Sequence, residues 1–291
     1  MKHETNIEFY ENRTLGERFS VTGDFILQKG KVLLKSTMYI ALPLILLYGF
    51  LSDYYTRELL ANIRSAPDHL NINWISTVAV VLVFVLSLLF LLSMTGAILS
   101  RYVKGIPTEK IARQDLAANV FPLMKKLSIQ LLIVASVLIL LTLLMGVLVY
   151  FSTFAGRLFT TVSVALILLA YFAALVVACS VLSLAPYPVL FEDATAWQGI
   201  KKGVRLGFKH WGSTFLSAFL GGLVLTALCY IVSMPYSVYV MFHMEEGGIP
   251  GYVFAFLSSF ASFAQYVVFF IFMGFQYTSI VRKEERDPLQ D

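Results

Sequence analysis

An all-α fold that crosses a membrane several times is what this sequence predicts, and three observations carry that expectation. The 291 residues are 58% hydrophobic and only 14% charged, with a mean hydropathy of +0.77, whereas a soluble domain carries about 25% charged residues. The apolar residues gather in six runs, each near or above the roughly 20 residues that a helix needs to cross a bilayer. Nearly all Lys and Arg fall on one side of those runs.

Residues 1–32 are polar and mixed in charge, without a signal-peptide pattern, and are expected to form a cytoplasmic tail with an amphipathic segment. Within it, Thr14-Leu15-Gly16-Glu17 has capping-box spacing, which starts a helix. The membrane domain is expected over residues 33–281. Its first span, about 33–53, contains Pro43, which should kink a membrane helix without abolishing it. The second, about 74–100, carries no charge. A basic loop at 101–126, broken by Pro107 and Pro122, leads to spans at about 127–154 and 158–184. Ala185-Pro186-Tyr187-Pro188 must end or bend the fourth span. The fifth and sixth spans cover about 213–242, with Pro235, and 252–281, and residues 282–291 form a charged tail.

Six spans put both termini on one side. That side holds nineteen of the 22 Lys and Arg and thirteen of the 18 acids, net +6; the other holds three and five, net −2. The positive-inside rule therefore places both termini in the cytoplasm.

Between the fourth and fifth spans, residues 191–211 form the clearest amphipathic helix. Thr195 and Gln198 make a second capping box. Trp197, Ile200, Val204, Phe208 and Trp211 recur at spacings of three and four as one apolar stripe. Lys201, Lys202, Arg205 and Lys209 lie off it, a pattern suited to the bilayer surface: rings among acyl chains, cations among anionic phospholipid headgroups. Gly199, Gly203 and Gly207 form a third row. It lowers helix propensity by about 1 kcal/mol per residue and so implies a close backbone contact. Ser213, Ser217 and Gly221, Ala170, Ala174 and Ala178, and Ala255 with Ser259 are small-residue rows of the kind that let membrane helices touch. A basic amphipathic stretch followed by two spans occurs three times, at Phe25–Lys35, Phe121–Gln130 and Phe208–Leu216. A threefold repeat is one reading; the general basicity of cytoplasmic loops is the other.

Catalytic motifs are missing: there is no HExxH, GxSxG, Walker A or dinucleotide fingerprint. The central part of every span lacks Asp, Glu, Lys, Arg and His, which argues against ion- or proton-coupled transport; Gln130, Gln265 and Gln276 read as bridges between helices. Glu192 and Asp193 could hold a metal only with further carboxylates, and read instead as acids at a helix N-terminus. Cys179 and Cys229 read as small buried apolar residues. No cofactor, catalytic residue or nucleic-acid partner is expected; the lipid bilayer is, and a membrane-protein partner or a second copy would fit.

A span ending in small residues and prolines, then an acid, a basic amphipathic helix and an aromatic pre-span, from Pro186 through Trp211, resembles the glycerophosphoryl diester phosphodiesterase membrane-domain superfamily. FILQKGKVLLKS entering a proline-containing first span is similar to that group too. The resemblance implies a six-span protein of the bacterial inner (plasma) membrane without enzymatic activity, because the phosphodiesterase chemistry of that group resides in a separate soluble barrel. The expected function is thus non-enzymatic organisation of, or assistance to, envelope and lipid components. A transporter or lipid-handling permease with a cavity between proline-kinked spans is the alternative.

Overall fold

A computed structural model of the chain describes residues 7–65, 73–104, 113–152, 157–243 and 248–286. Every regular element among them is an α-helix: α1 Leu15–Ser65, α2 Trp74–Val103, α3 Arg113–Ser152, α4 Arg157–Leu182, α5 Pro186–Phe191, α6 Ala196–Lys209, α7 Trp211–Phe242 and α8 Ile249–Arg286. Five stretches of the described residues are long and apolar enough to cross a membrane: Trp74–Val103, Val120–Phe151, Val162–Phe191, Trp211–Phe242 and Ile249–Arg286. The remaining expected span, 33–53, falls inside α1, where the side chains of residues 36–40 lie outside the described ones.

Helix boundaries follow local chemistry. Thr14 precedes α1 with its capping box formed: the Thr14 N–H donates to Glu17 Oε2 at 2.7 Å and the Glu17 N–H reaches Thr14 Oγ1 at 3.5 Å. α1 then continues through Pro43 for 51 residues. Asn73 caps α2, its side chain accepting from the N–H groups of Ile75 and Ser76. Pro122 does not break the chain as expected but lies inside α3, on an exposed position. A proline removes one N–H and crowds the preceding turn, and on an open helix face that crowding is accommodated. Pro107 lies outside the described residues. At the fourth span the two prolines do more than end a helix. α4 stops at Leu182, and Pro186 sits in the first turn of the short α5, where its missing N–H is not needed.

α8 is the central element, packing on α7, α1 and α2, while α3 packs on α2 and α4. Small residues allow the close contacts: a Cβ at Gly49 of α1 would lie 3.3 Å from Ser259 Oγ, and one at Gly221 would lie 2.7 Å from the Phe272 ring. The largest buried cluster sits where the basic loops gather and includes Phe9, Phe25, Leu99, Tyr187, Phe191, Leu206, Phe275 and Tyr277.

Within the N-terminal stretch, Phe9, Arg13 and Arg18 are buried in or beside this core. Phe9 stacks on Phe275 at 4.6 Å and meets Tyr102 at 5.4 Å. Arg13 is buried beside it, its N–H donating to Ser279 Oγ at 3.0 Å and its guanidinium pairing with Glu11 at 2.8 Å. Arg18 is buried too, donating to Ser217 Oγ at 3.0 Å and to the Arg13 carbonyl at 2.6 Å. In contrast, no residue in the most apolar window of α3 or α4 is buried within the chain. This also corrects the expectation for the cysteines: Cys179 is exposed on α4 and Cys229 partly exposed on α7.

The three stretches suggested as repeats differ locally. Phe25–Lys35 and Phe121–Gln130 lie within the long helices α1 and α3, whereas Phe208–Leu216 straddles the break at His210 (φ −112°, ψ 37°) that divides α6 from α7.

Candidate functional site

The α4–α5 elbow and α6 build the most elaborated surface at the basic end. α6 starts on the expected capping box, with Gln198 N–H donating to Thr195 Oγ1 at 3.3 Å and Thr195 N–H to Gln198 Oε1 at 3.0 Å. Its buried residues are Ala196, Gly199, Ile200, Gly203, Leu206 and Gly207, so the glycine row is the centre of the packed face. A Cβ at Gly203 would lie 2.6 Å from Ala185 Cα and 2.7 Å from its N; at Gly207, 3.0 Å from Val181 Cα; at Gly199, 2.6 Å from Val189 Cγ2 and from Gln130 Nε2. Three missing side chains thus let the α6 backbone rest directly on the backbone that the two prolines bend. Gln130 of α3 secures the seam, its buried Nε2 donating to the carbonyls of Ala185 at 3.0 Å and Ala196 at 3.1 Å. A buried amide makes such bonds because leaving those carbonyls unpaired costs about 1–3 kcal/mol each.

The apolar stripe read from the sequence is divided by this packing. Ile200 turns inward, whereas Trp197 and Phe208 stay 63% and 58% exposed. Trp211 falls beyond the break at His210 and opens α7, where its ring stacks on Phe215 at 5.3 Å. The four basic residues separate as well. Lys202 pairs with Glu192 at 2.6 Å, and Lys209 with Glu284 at 3.4 Å. Lys201 and Arg205 are exposed, flanking Trp197 and Phe208 around the helix.

Glu192 and Asp193 hold side chains and do not open α6, which Thr195 caps; Glu192 instead closes α5, its N–H donating to the Pro188 carbonyl at 3.1 Å. Glu192 accepts from the buried Tyr277 hydroxyl at 2.5 Å as well as from Lys202. Asp193 occupies the left-handed region (φ 54°) and pairs with Lys104, the residue that closes α2, at 2.9 Å. Asp tolerates that conformation better than most residues, and there it turns the chain from α5 into α6. Beside Glu192 opens a polar cleft of about 450 Å³, lined by Tyr10, Glu192, Lys202, Val281, Arg282 and Glu285. Burial, then the charges of Glu192 and Glu285, push the Tyr10 phenol upward, so it stays a neutral donor.

Of the packing residues on α7, Ser217 donates to Gln276 Oε1 at 3.1 Å while accepting from Arg18, and Gly221 faces Phe272. Sequence reasoning missed the buried Phe9, Arg13 and Arg18, whose aromatic and cationic residues looked like ordinary tail composition. It also missed a cluster at the opposite end. Asp53, buried on α1, accepts from Arg57 at 2.9 Å and from Tyr236 of α7 at 3.1 Å. The i, i+4 acid–base spacing at the end of a span was the available signal. Near it an apolar groove of about 490 Å³ follows α7 past Met234, Pro235 and Val238 to His243. Compared with family models, curated proteins and solved structures, the chain matches none.

Proposed function

We propose that this chain is a non-enzymatic, six-span protein of the bacterial inner membrane with both termini cytoplasmic. In this reading it organises or assists lipid and envelope components through α6, which lies among anionic headgroups of the inner leaflet. The observation that carries it is the division of α6: a glycine face seated on the elbow, and an outward face where exposed Trp197 and Phe208 adjoin Lys201 and Arg205. That order, apolar edge beside cationic edge, is what an interfacial helix needs. The charge asymmetry of the loops supports the orientation, and the resemblance to the phosphodiesterase membrane-domain superfamily agrees with a role without catalysis.

The test uses the whole chain in vesicles. With Trp74 and Trp211 changed to Phe, Trp197 is the sole tryptophan; its emission should be quenched by lipids brominated high on the acyl chain. Quenching only by aqueous iodide would overturn the placement of α6. Comparing membrane lipids and surface proteins of a deletion strain with its parent then tests the role.

A lipid-handling permease is the second reading. It is favoured by the apolar groove around Pro235 and by the unburied apolar windows of α3 and α4.

A further inference from the structure

The cleft between the N-terminal stretch, the α5–α6 junction and the end of α8 has a charge pattern that selects a class of ligand. Its walls carry two acids and two bases, already matched in pairs: Lys202 on Glu192 at 2.6 Å, and Arg282 on Glu285 at 3.1 Å. An anion drawn to Lys202 meets Glu192 at once, and a cation drawn to Glu285 meets Arg282. Neither ion alone gains much, because each must displace an existing partner and leave a charge uncompensated. A molecule carrying both signs, inserted between the pairs, keeps all four side chains satisfied. The Tyr10 phenol, which lines the same cleft, adds one neutral donor. At about 450 Å³ the cleft is within the usual range of small-molecule sites, about 300–1,000 Å³. The groups are only partly withdrawn from water: Glu192 and Lys202 side chains are 32% and 33% exposed, Arg282 and Glu285 41% and 54%. Such a site is open to an incoming ligand and strengthens charge–charge contacts over those in bulk solvent.

We propose that this cleft binds a zwitterion that carries a primary amine and a phosphate a few bonds apart, its ammonium placed against Glu192 and Glu285 and its phosphate against Lys202 and Arg282. The phosphate suits two cations of different geometry because its several oxygens can serve the fork of Arg282 and the point charge of Lys202 together. Such a molecule exists free as phosphoethanolamine and, esterified, as the headgroup of phosphatidylethanolamine. The proposal does not require α6 to touch the bilayer.

The experiment is calorimetric titration of the purified full chain in detergent with phosphoethanolamine, ethanolamine and inorganic phosphate. Phosphoethanolamine should bind saturably, and each half-molecule at least tenfold more weakly. Glu192→Gln and Arg282→Gln should each weaken binding tenfold or more. Because Glu192 also anchors Tyr277, Glu285→Gln, at an exposed position, provides a variant that keeps the fold, and the same loss is expected there. No saturable binding by the wild type, equal binding of phosphate alone, or unaltered affinity in both Arg282→Gln and Glu285→Gln would overturn the proposal. Repeating the titration in nanodiscs identifies the source. Competition by phosphatidylethanolamine but not phosphatidylglycerol supports the proposal with the headgroup as ligand; affinity unchanged by either lipid supports it with the free molecule as ligand.

Discussion

Gly203 shows how much a single absent methyl group decides. Its Cβ would fall 2.6 Å from Ala185 Cα, a backbone atom that cannot rotate away, so the elbow and α6 would have to separate. Gly203→Ala is expected to destabilise the protein by about 1–3 kcal/mol, the usual range for overpacking, read as a lower thermal midpoint in detergent. Gly222→Ala is the matched control: nothing lies within 4 Å of a Cβ there, and the better helix propensity of Ala should make it neutral or slightly stabilising. Equal effects at both sites would remove the packing explanation. At Glu17, the hydrogen bonds from Thr14, first its N–H and then its hydroxyl, hold the carboxyl below its ordinary value. A depressed folded pKa contributes stability above the unfolded value, about 4.3, and loses it as pH falls through the folded one. Acidification through that window should therefore lower the protection of amides in the first turn of α1, measured against their intrinsic exchange rates at each pH. Glu17→Gln should show no such pH-dependent step. Arg18→Met tests the buried guanidinium: its bonds to Ser217 and the Arg13 carbonyl should be worth about 2–3 kcal/mol, as hydrogen bonds to charged groups are.

Among the elements, α6 and the α3–α4 pair represent opposite uses of apolar surface. α6 carries its bases beside two exposed rings and buries a face of glycines. Lys201→Glu with Arg205→Glu should therefore leave folding near wild type, since neither side chain is buried. The same change should weaken retention of anionic lipid in native mass spectra, by up to about a thousandfold if each of the two charges contributes about 1 kcal/mol and reversal doubles it. Unchanged lipid retention would count against the interfacial reading. Periodicity made the position and capping of α6 legible, because the Thr195 and Gln198 box and the apolar spacing are local. The face it buries was not legible. Trp197, Ile200 and Phe208 belong to one stripe in sequence, but of these three only Ile200 is buried, beside the glycines, and that choice depends on where Pro186 turns the chain. The same holds for Pro122, which reads as a breaker locally and is carried inside α3 because its side of the helix is open.

Taken as a whole molecule, the chain keeps its dense packing at the basic end and leaves the most apolar windows of α3 and α4 unburied. If that end is cytoplasmic, a membrane-impermeant maleimide applied to intact spheroplasts should label Trp74→Cys, at the start of α2, and should label Lys283→Cys only after permeabilisation, both in a Cys179→Ala, Cys229→Ala background. The reverse pattern would invert the topology. By itself the sequence determined the helical class, the apolar stretches, most helix starts and the uneven distribution of charge. Each of these depends on residues near one another in the chain or on bulk composition. Only the tertiary structure decided that Phe9, Arg13 and Arg18 enter the core, that the glycine row meets the bent backbone at 181–185, and that Tyr10, Glu192, Lys202, Arg282 and Glu285 share one cleft. Those contacts join residues up to 275 positions apart (Tyr10 to Glu285), and no local propensity or hydropathy window encodes which distant partner a side chain will meet.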